Sequence, residues 1–149
     1  MANPRLNSAD ARIGPQGHAG LRESRSEMRG GFFGLAMAGN ADEVIRRLHE
    51  EPPGNDRCFF ANVALICASW KGHEDLVRRL LIEGGADPLY QFQTGQTALM
   101  FAARWGRLRI VETLVEYGAA VGQADSRGEV AADYASRGGF TELAEMLRN

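Results

Sequence analysis

The side chains able to do acid–base, nucleophilic or metal chemistry are few and scattered. Three histidines, His18, His49 and His73, lie far apart, and none has the spacing that places two ligands on one metal ion. Asp42 with Glu43, and Asp133 with Glu142, are carboxylate pairs on paper. Charged helix faces supply such neighbours without any acid–base role. Ser69 has no histidine near it in sequence to act as its base. The run Gly30-Gly31-Phe32-Phe33-Gly34 lacks the Lys and Ser/Thr of a phosphate-binding loop. The residues therefore predict no catalytic site, no bound cofactor and no metal.

Composition narrows the classes further. The chain has 149 residues, 44% hydrophobic and 24% charged, with a formal net charge of −2, which argues against nucleic acid or an anionic membrane as principal partner. No apolar run reaches bilayer length and the first twenty residues lack the apolar stretch of a secretory signal, so an intracellular, cytoplasmic protein is expected. Two cysteines, Cys58 and Cys67, are too few for a disulfide scaffold; Cys67, in "VALICA", reads as a small hydrophobe. Of the 17 basic residues only Lys71 is lysine, a bias that codon usage explains as well as any preference for bidentate arginine contacts.

What the sequence repeats is a structural unit. "LAMAG", "LICASWKG", "LMFAARWG" and "DYASRGG" end at Gly39, Gly72, Gly106 and Gly139, at intervals of 33, 34 and 33 residues. Each glycine follows a short alanine-containing helical segment and precedes an amphipathic one. In the latter, Leu76, Val77, Leu80 and Leu81, and one unit later Ile110, Val111, Leu114 and Val115, keep helical spacing on an apolar face. The predicted unit is helix, tight turn, helix, then a longer loop. No unit can bury its apolar face alone, so stacking must build the core. Leu99, Ala102, Ala103, Val111 and Leu114 are expected at its centre, with Ala68, Ala102 and Ala135 as spacers where helices approach.

This period and content resemble the ankyrin repeat. The residues that carry the resemblance are Thr97-Ala98-Leu99, Ala102-Ala103, Gly106, Val111, Leu114 and Gly118-Ala119. The preceding unit offers Leu65, Ala68, Gly72-His73, Val77, Leu80-Leu81 and Gly85-Ala86-Asp87, and the loop Asp125-Ser126-Arg127-Gly128 also fits. The resemblance implies an all-α solenoid of stacked helix-turn-helix units with short β-turn loops over residues 26–149. The units are 26–57, 58–91, 92–124 and 125–149, the first and last being degenerate caps. The family's Thr-Pro-Leu-His reads Thr97-Ala98-Leu99-Met100 here, and only Thr97 can cap its inner helix; a lost cap costs about 1 kcal/mol. The histidine that links neighbouring loops in the family is missing, so ordinary stability is expected. Pro52-Pro53-Gly54-Asn55 breaks the chain after the first unit, with Glu43, Arg46 and Arg47 on its wet face. Residues 1–25, rich in Gly, Pro, Ser and Arg, read as a disordered tail; the alternative is a short helix capped by Ser24 and Glu27.

The resemblance also implies where a partner would bind. The two residues before each turn glycine face the shared concave side: Met37-Ala38, Trp70-Lys71, Arg104-Trp105 and Arg137-Gly138. Matching loop positions are Phe59, Phe60 and Asn62, then Gln93, Thr94 and Gln96, then Ser126, Arg127 and Glu129. Exposed Trp, Phe and Arg together have the composition of interface hot spots. Each tryptophan has a second reading, as packing against the neighbouring unit, and Phe59 and Phe60 as filling of a degenerate loop. The expectation is a monomeric, non-catalytic protein-binding module, either an adaptor, scaffold or regulator, or a steric inhibitor of a partner enzyme; the third alternative is an enzyme or nucleic-acid binder hidden in a repeat fold.

Overall fold

The computed structural model describes residues 31–51 and 53–149. The tail over 1–25, the alternative helix at Ser24, His18 and the first residues of unit 26–57 lie outside them. The chain divides into two compact units, Met1–Gly34 and Leu35–Asn149. In the first, the described residues are 31–34, where the rings of Phe32 and Phe33 meet edge to face at 5.8 Å.

Eight helices run through the described residues: α1 (Phe33–Ala38), α2 (Ala41–Glu50), α3 (Asn55–Lys71), α4 (Glu74–Ile82), α5 (Ala98–Arg104), α6 (Leu108–Glu116), α7 (Ala131–Arg137) and α8 (Thr141–Arg148). They pair as α3 with α4, α5 with α6 and α7 with α8. Inner helices α3, α5 and α7 stack in sequence, and outer helices α2, α4 and α6 pack side by side. The inner helices approach closely because alanines face the neighbours: Ala68, Ala102, Ala103 and Ala135 are fully buried. The outer helices supply the bulk, with Leu76, Val77, Leu80, Ile110, Val111 and Leu114 also buried. Val115 departs from the expected apolar face and is 41% exposed.

The turn glycines serve packing as well as backbone. Gly72 ends α3 in the left-handed region (φ +88), its N–H donating to Ala68 O at 2.8 Å. A Cβ there would also stand 2.8 Å from the Arg107 guanidinium carbon. The same relation recurs: His73 covers Gly39 and Phe140 covers Gly106. His73 additionally donates from Nε2 to Met37 O at 2.7 Å, and Arg107 from Nη2 to Trp70 O at 3.4 Å, so the residues after Gly72 and Gly106 latch the preceding inner helix.

One junction departs from the sequence reading. The loop expected to hold Phe59, Phe60 and Asn62 is helix: α3 runs for 17 residues, from just after Gly54 to Lys71. Pro53 and Gly54 break the chain before it, but no glycine or proline interrupts the stretch until Gly72, so nothing stops helix propagation. The two later junctions do form loops. Phe92 and Gln96 bridge across a tight turn, and Asp125 N–H donates to Glu129 O at 2.9 Å. Glutamines take the place of the missing linking histidine. Gln91 Nε2 donates to Gly95 O and Ala124 O, both at 3.0 Å, and Gln123 Nε2 to Leu89 O at 3.1 Å. The tips themselves join through Ser126 N–H to Thr94 O at 3.0 Å, so close that a Cβ on Gly95 (φ +89) would lie 2.9 Å from Ser126 N.

Caps follow the sequence where the chemistry permits. Thr97 Oγ1 accepts from Met100 N–H at 3.3 Å, and Asn40 Oδ1 from Glu43 N–H at 3.3 Å. Val130 cannot accept, but Asp133 Oδ2 reaches back to its N–H at 2.9 Å and satisfies one orphan donor of α7.

Candidate functional site

Several of the chemistry-bearing side chains are engaged in holding the fold. Asp42 pairs with Arg79 at 2.5 Å, and Glu43 with both Arg46 and Arg47. The Glu43 carboxyl is pulled down to about 2 by hydrogen bonds from Arg46 and then Arg47. Asp133 holds Val130 N–H and Arg148. Ser69 is fully buried in α3, and His73 is spent on Met37. Among the described residues no group of His, Cys, Asp and Glu could hold a metal ion. Cys58 and Cys67 are both free; burial pushes the Cys67 thiol pKa up.

The candidate binding residues form two groups: Trp70, Lys71, Arg104 and Trp105 at the C-terminal ends of α3 and α5, and the tip residues 93–96 and 126–129 just before the N-terminal ends of α5 and α7. Trp70 and Arg104 occupy equivalent positions and are both half-buried; Lys71 and Trp105, one residue on, are both exposed. Each pair sets a cation over an aromatic ring, in opposite order along the chain: Lys71 Nζ sits 4.7 Å from the Trp70 ring centroid, and Arg104 Cζ 5.7 Å from that of Trp105. At such exposure a cation–π contact is worth about 0.5–1 kcal/mol, enough to bias the rotamers but weak enough for a partner to displace. Trp105 is 48% exposed. Among the described residues neither Lys71 nor Arg104 is ion-paired, so both charges are available. Packing and presentation are thus divided between the tryptophans, Trp70 contributing more of the first and Trp105 more of the second.

At the tips, Gln93 and Thr94 are exposed, and Thr94 Oγ1 donates to half-buried Gln96 at 2.9 Å. Ser126 and Arg127 are exposed. Glu129 is half-buried between two arginines, Arg127 at 2.8 Å and Arg137. Arg137, in turn, stacks over Tyr134 at 5.2 Å.

Two of the expected contacts are corrected. Phe60 and Asn62 are buried, because their stretch of α3 turns them into the core. Asn62 Oδ1 accepts Asp87 N–H at 2.7 Å and so anchors the following loop. Phe59 stays accessible, 39% exposed, with its ring against the edge of Phe60, but it lies within a helix and not at a loop tip.

The second tip is ordered from below by Asp125. Its Oδ2 accepts from the Tyr134 hydroxyl at 2.6 Å, and its Oδ1 from the N–H groups of Arg127 (2.9 Å) and Glu129 (3.0 Å). The Tyr134 bond first, and the two backbone donors after it, hold the Asp125 pKa below its ordinary value against the opposing effect of burial. A depressed folded-state pKa gives stability that is complete above the unfolded value, about 4, and is lost as pH falls through the lowered one. The melting temperature of the wild type is therefore expected to fall more steeply below pH ~4 than that of Asp125→Asn, in thermal melts followed by circular dichroism. Parallel pH profiles for the two proteins would contradict this role for Asp125.

Comparison with known proteins agrees with this architecture. The profile of the family described as "Ankyrin repeats (3 copies)" matches residues 32–125 and, in an overlapping match, 65–149. The chain is 38% identical over 76 residues to the human ARF GTPase-activating protein GIT2, covering 51% of this chain and 10% of that protein. It is 40% identical over 87 residues to the E3 ubiquitin-protein ligase XBAT33 of Arabidopsis thaliana (58% of this chain, 17% of that one). The probable E3 ubiquitin-protein ligase XBOS33 of Oryza sativa subsp. japonica is 38% identical over 87 residues, with 58% and 16% covered. The chain thus spans only a small part of the length of these curated relatives. With the family profile covering the helix pairs from the first to the last, the chain belongs to the ankyrin-repeat family.

Proposed function

We propose that the chain is a non-catalytic recognition module, an adaptor, scaffold or regulator, that binds a protein partner through the face formed by inner-helix ends and loop tips. The observation that carries this reading is the pair of cation–aromatic couples in successive units, Lys71 with Trp70 and Arg104 with Trp105. Large aromatic area beside unpaired positive charge fits a partner surface that offers apolar side chains and carboxylates. Gln93, Thr94, Ser126 and Arg127 would add polar contacts at the rim.

Membership of a family whose repeats imply protein–protein interaction supports the binding role. The matches to short parts of much longer proteins support the sense of a module that recruits. Two free cysteines, one of them exposed, suit a reducing compartment such as the cytoplasm, and among the described residues no helix is long and apolar enough to cross a membrane.

Capture of a partner from cell extract tests the reading. Lys71→Ala combined with Trp105→Ala removes one exposed side chain from each couple and spares half-buried Trp70. The double variant is expected to keep its helicity and melting temperature and to lose capture, with affinity lower by about tenfold or more. Capture that survives the double substitution would move the site elsewhere. The same contacts would serve a steric inhibitor, and an activity assay on the captured partner separates the two.

A further inference from the structure

A second surface lies on the other side of the units. Helices α2, α4 and α6 pack side by side, but α8 rests mainly on its own partner α7 and lacks the same close contact with α6. A depression of about 650 Å³ opens between α6 and α8. Its floor is apolar: Val111 and Val115 from α6, and Leu143, Met146 and Leu147 from α8. A smaller hollow of about 360 Å³ shares Leu143 and Met146 and extends the groove past Leu108 and Phe140. Leu108, Val115, Phe140 and Met146 are 39–55% exposed, so both helices leave apolar side chains open to water above the buried Val111 and Leu143.

The rim is mainly acidic. Glu112 and Glu116 line the α6 side, and Glu142 stands at the start of α8. Among the described residues none of the three is ion-paired. Arg148, the one basic residue in the lining, is held by Asp133 and Ser136. From Leu108 to Val115 the strip spans two helical turns, about 10 Å, the distance over which a docked helix places apolar anchors at i, i+3/i+4 and i+7.

We propose that this groove is a second docking site, which takes a basic amphipathic helix of a partner protein. Its apolar stripe lies on Leu108, Val115, Phe140 and Met146, and its Lys or Arg side chains meet Glu112, Glu116 and Glu142. Charge complementarity selects this occupant: an acidic helix would face three unpaired carboxylates, and a purely apolar one would leave them desolvated without a counter-charge. The positive, aromatic inner face and the negative, apolar outer groove would then recognise partners of opposite character.

The test uses the full chain and a fluorescein-labelled amphipathic peptide of about five helical turns, with Leu at i, i+3, i+4 and i+7 and Lys on the other face. A companion peptide carries Glu in place of Lys. Fluorescence anisotropy is expected to show binding of the Lys peptide, weakening as salt rises, and none of the Glu peptide. Glu112→Lys with Glu116→Lys, and separately Met146→Ser, should each weaken binding by about tenfold or more with unchanged melting temperature. Asp75→Lys, a charge reversal on exposed α4 outside the groove, should leave it unaltered. Absence of binding to the wild type, equal binding of both peptides, or indifference to the groove substitutions would overturn the proposal. So would wild-type self-association in sedimentation that Met146→Ser abolishes, since the occupant would then be a second copy of this chain.

Discussion

Leu114→Ala is expected to lower the unfolding free energy by about 2–5 kcal/mol, the range for deleting a buried leucine side chain that its surroundings cannot replace. Leu114 is fully buried in the last turn of α6. α6 packs on its partner α5, where Ala102 and Ala103 are fully buried, and on α4, and these helices have little freedom to collapse into the cavity. Against a total stability of about 5–15 kcal/mol for a domain, a loss of this size is a large fraction. Denaturant titration followed by circular dichroism measures it. Val115→Ala, the next residue and 41% exposed, should change stability far less and serves as the internal control. An unchanged transition for Leu114→Ala would remove that residue from the core.

Gly138→Ala is expected to be nearly as damaging for a different reason. Gly138 has φ −77°, a conformation any residue adopts, so the backbone itself does not demand glycine. A Cβ there would run into the Arg104 carbonyl oxygen. Backbone cannot swing aside as a side chain can, so α7 must shift away from α5, at a cost of about 1–3 kcal/mol for overpacking. Gly139 provides the opposite case: its φ is +89° and a Cβ would meet nothing within 4 Å, so Gly139→Ala carries only the backbone cost of about 1–2 kcal/mol. Arg104 belongs to the candidate binding face. Gly138→Ala should therefore also weaken partner binding, whereas Gly139→Ala should leave it close to wild type. Equal stability and binding for the two variants would contradict the close approach of α7 to α5.

Much of this architecture is legible in the sequence because it rests on local rules repeated in register. Gly39, Gly72, Gly106 and Gly139 each demand a tight turn, and the alanines before them and the leucines and valines after them have helical spacing. What the sequence hides are contacts between distant residues. Asn62 looks like a loop residue until Asp87 N–H is seen to bond to it across 25 positions. The length of α3 is written in the absence of any glycine or proline between Gly54 and Gly72, a signal masked by the expectation of a loop at that point of the repeat. Glutamines at Gln91 and Gln123 replace the linking histidine by reaching carbonyls 33 and 34 residues away, which no spacing rule foretells.

The candidate site was legible in part. Trp105, Lys71, Arg104 and the tip residues occupy accessible positions, because inner-helix ends and turn tips lie at the surface in any such stack. Phe60 and Asn62 were not separable from them, since burial there depends on the helical phase of α3. The outer groove left only a faint trace: Val115 on α6 and Met146 on α8 carry apolar side chains that stay exposed because the two helices do not close on each other.

The most direct measurement of the central claim is site-specific photo-cross-linking to a captured partner. A benzophenone side chain placed at position 105, on the inner face, is compared with one at position 78, on the exposed side of α4. Covalent capture of the partner from position 105 and not from 78 is the result expected if inner-helix ends and loop tips form the interface. Capture from 78 with none from 105 would contradict it and place the partner on the outer helices.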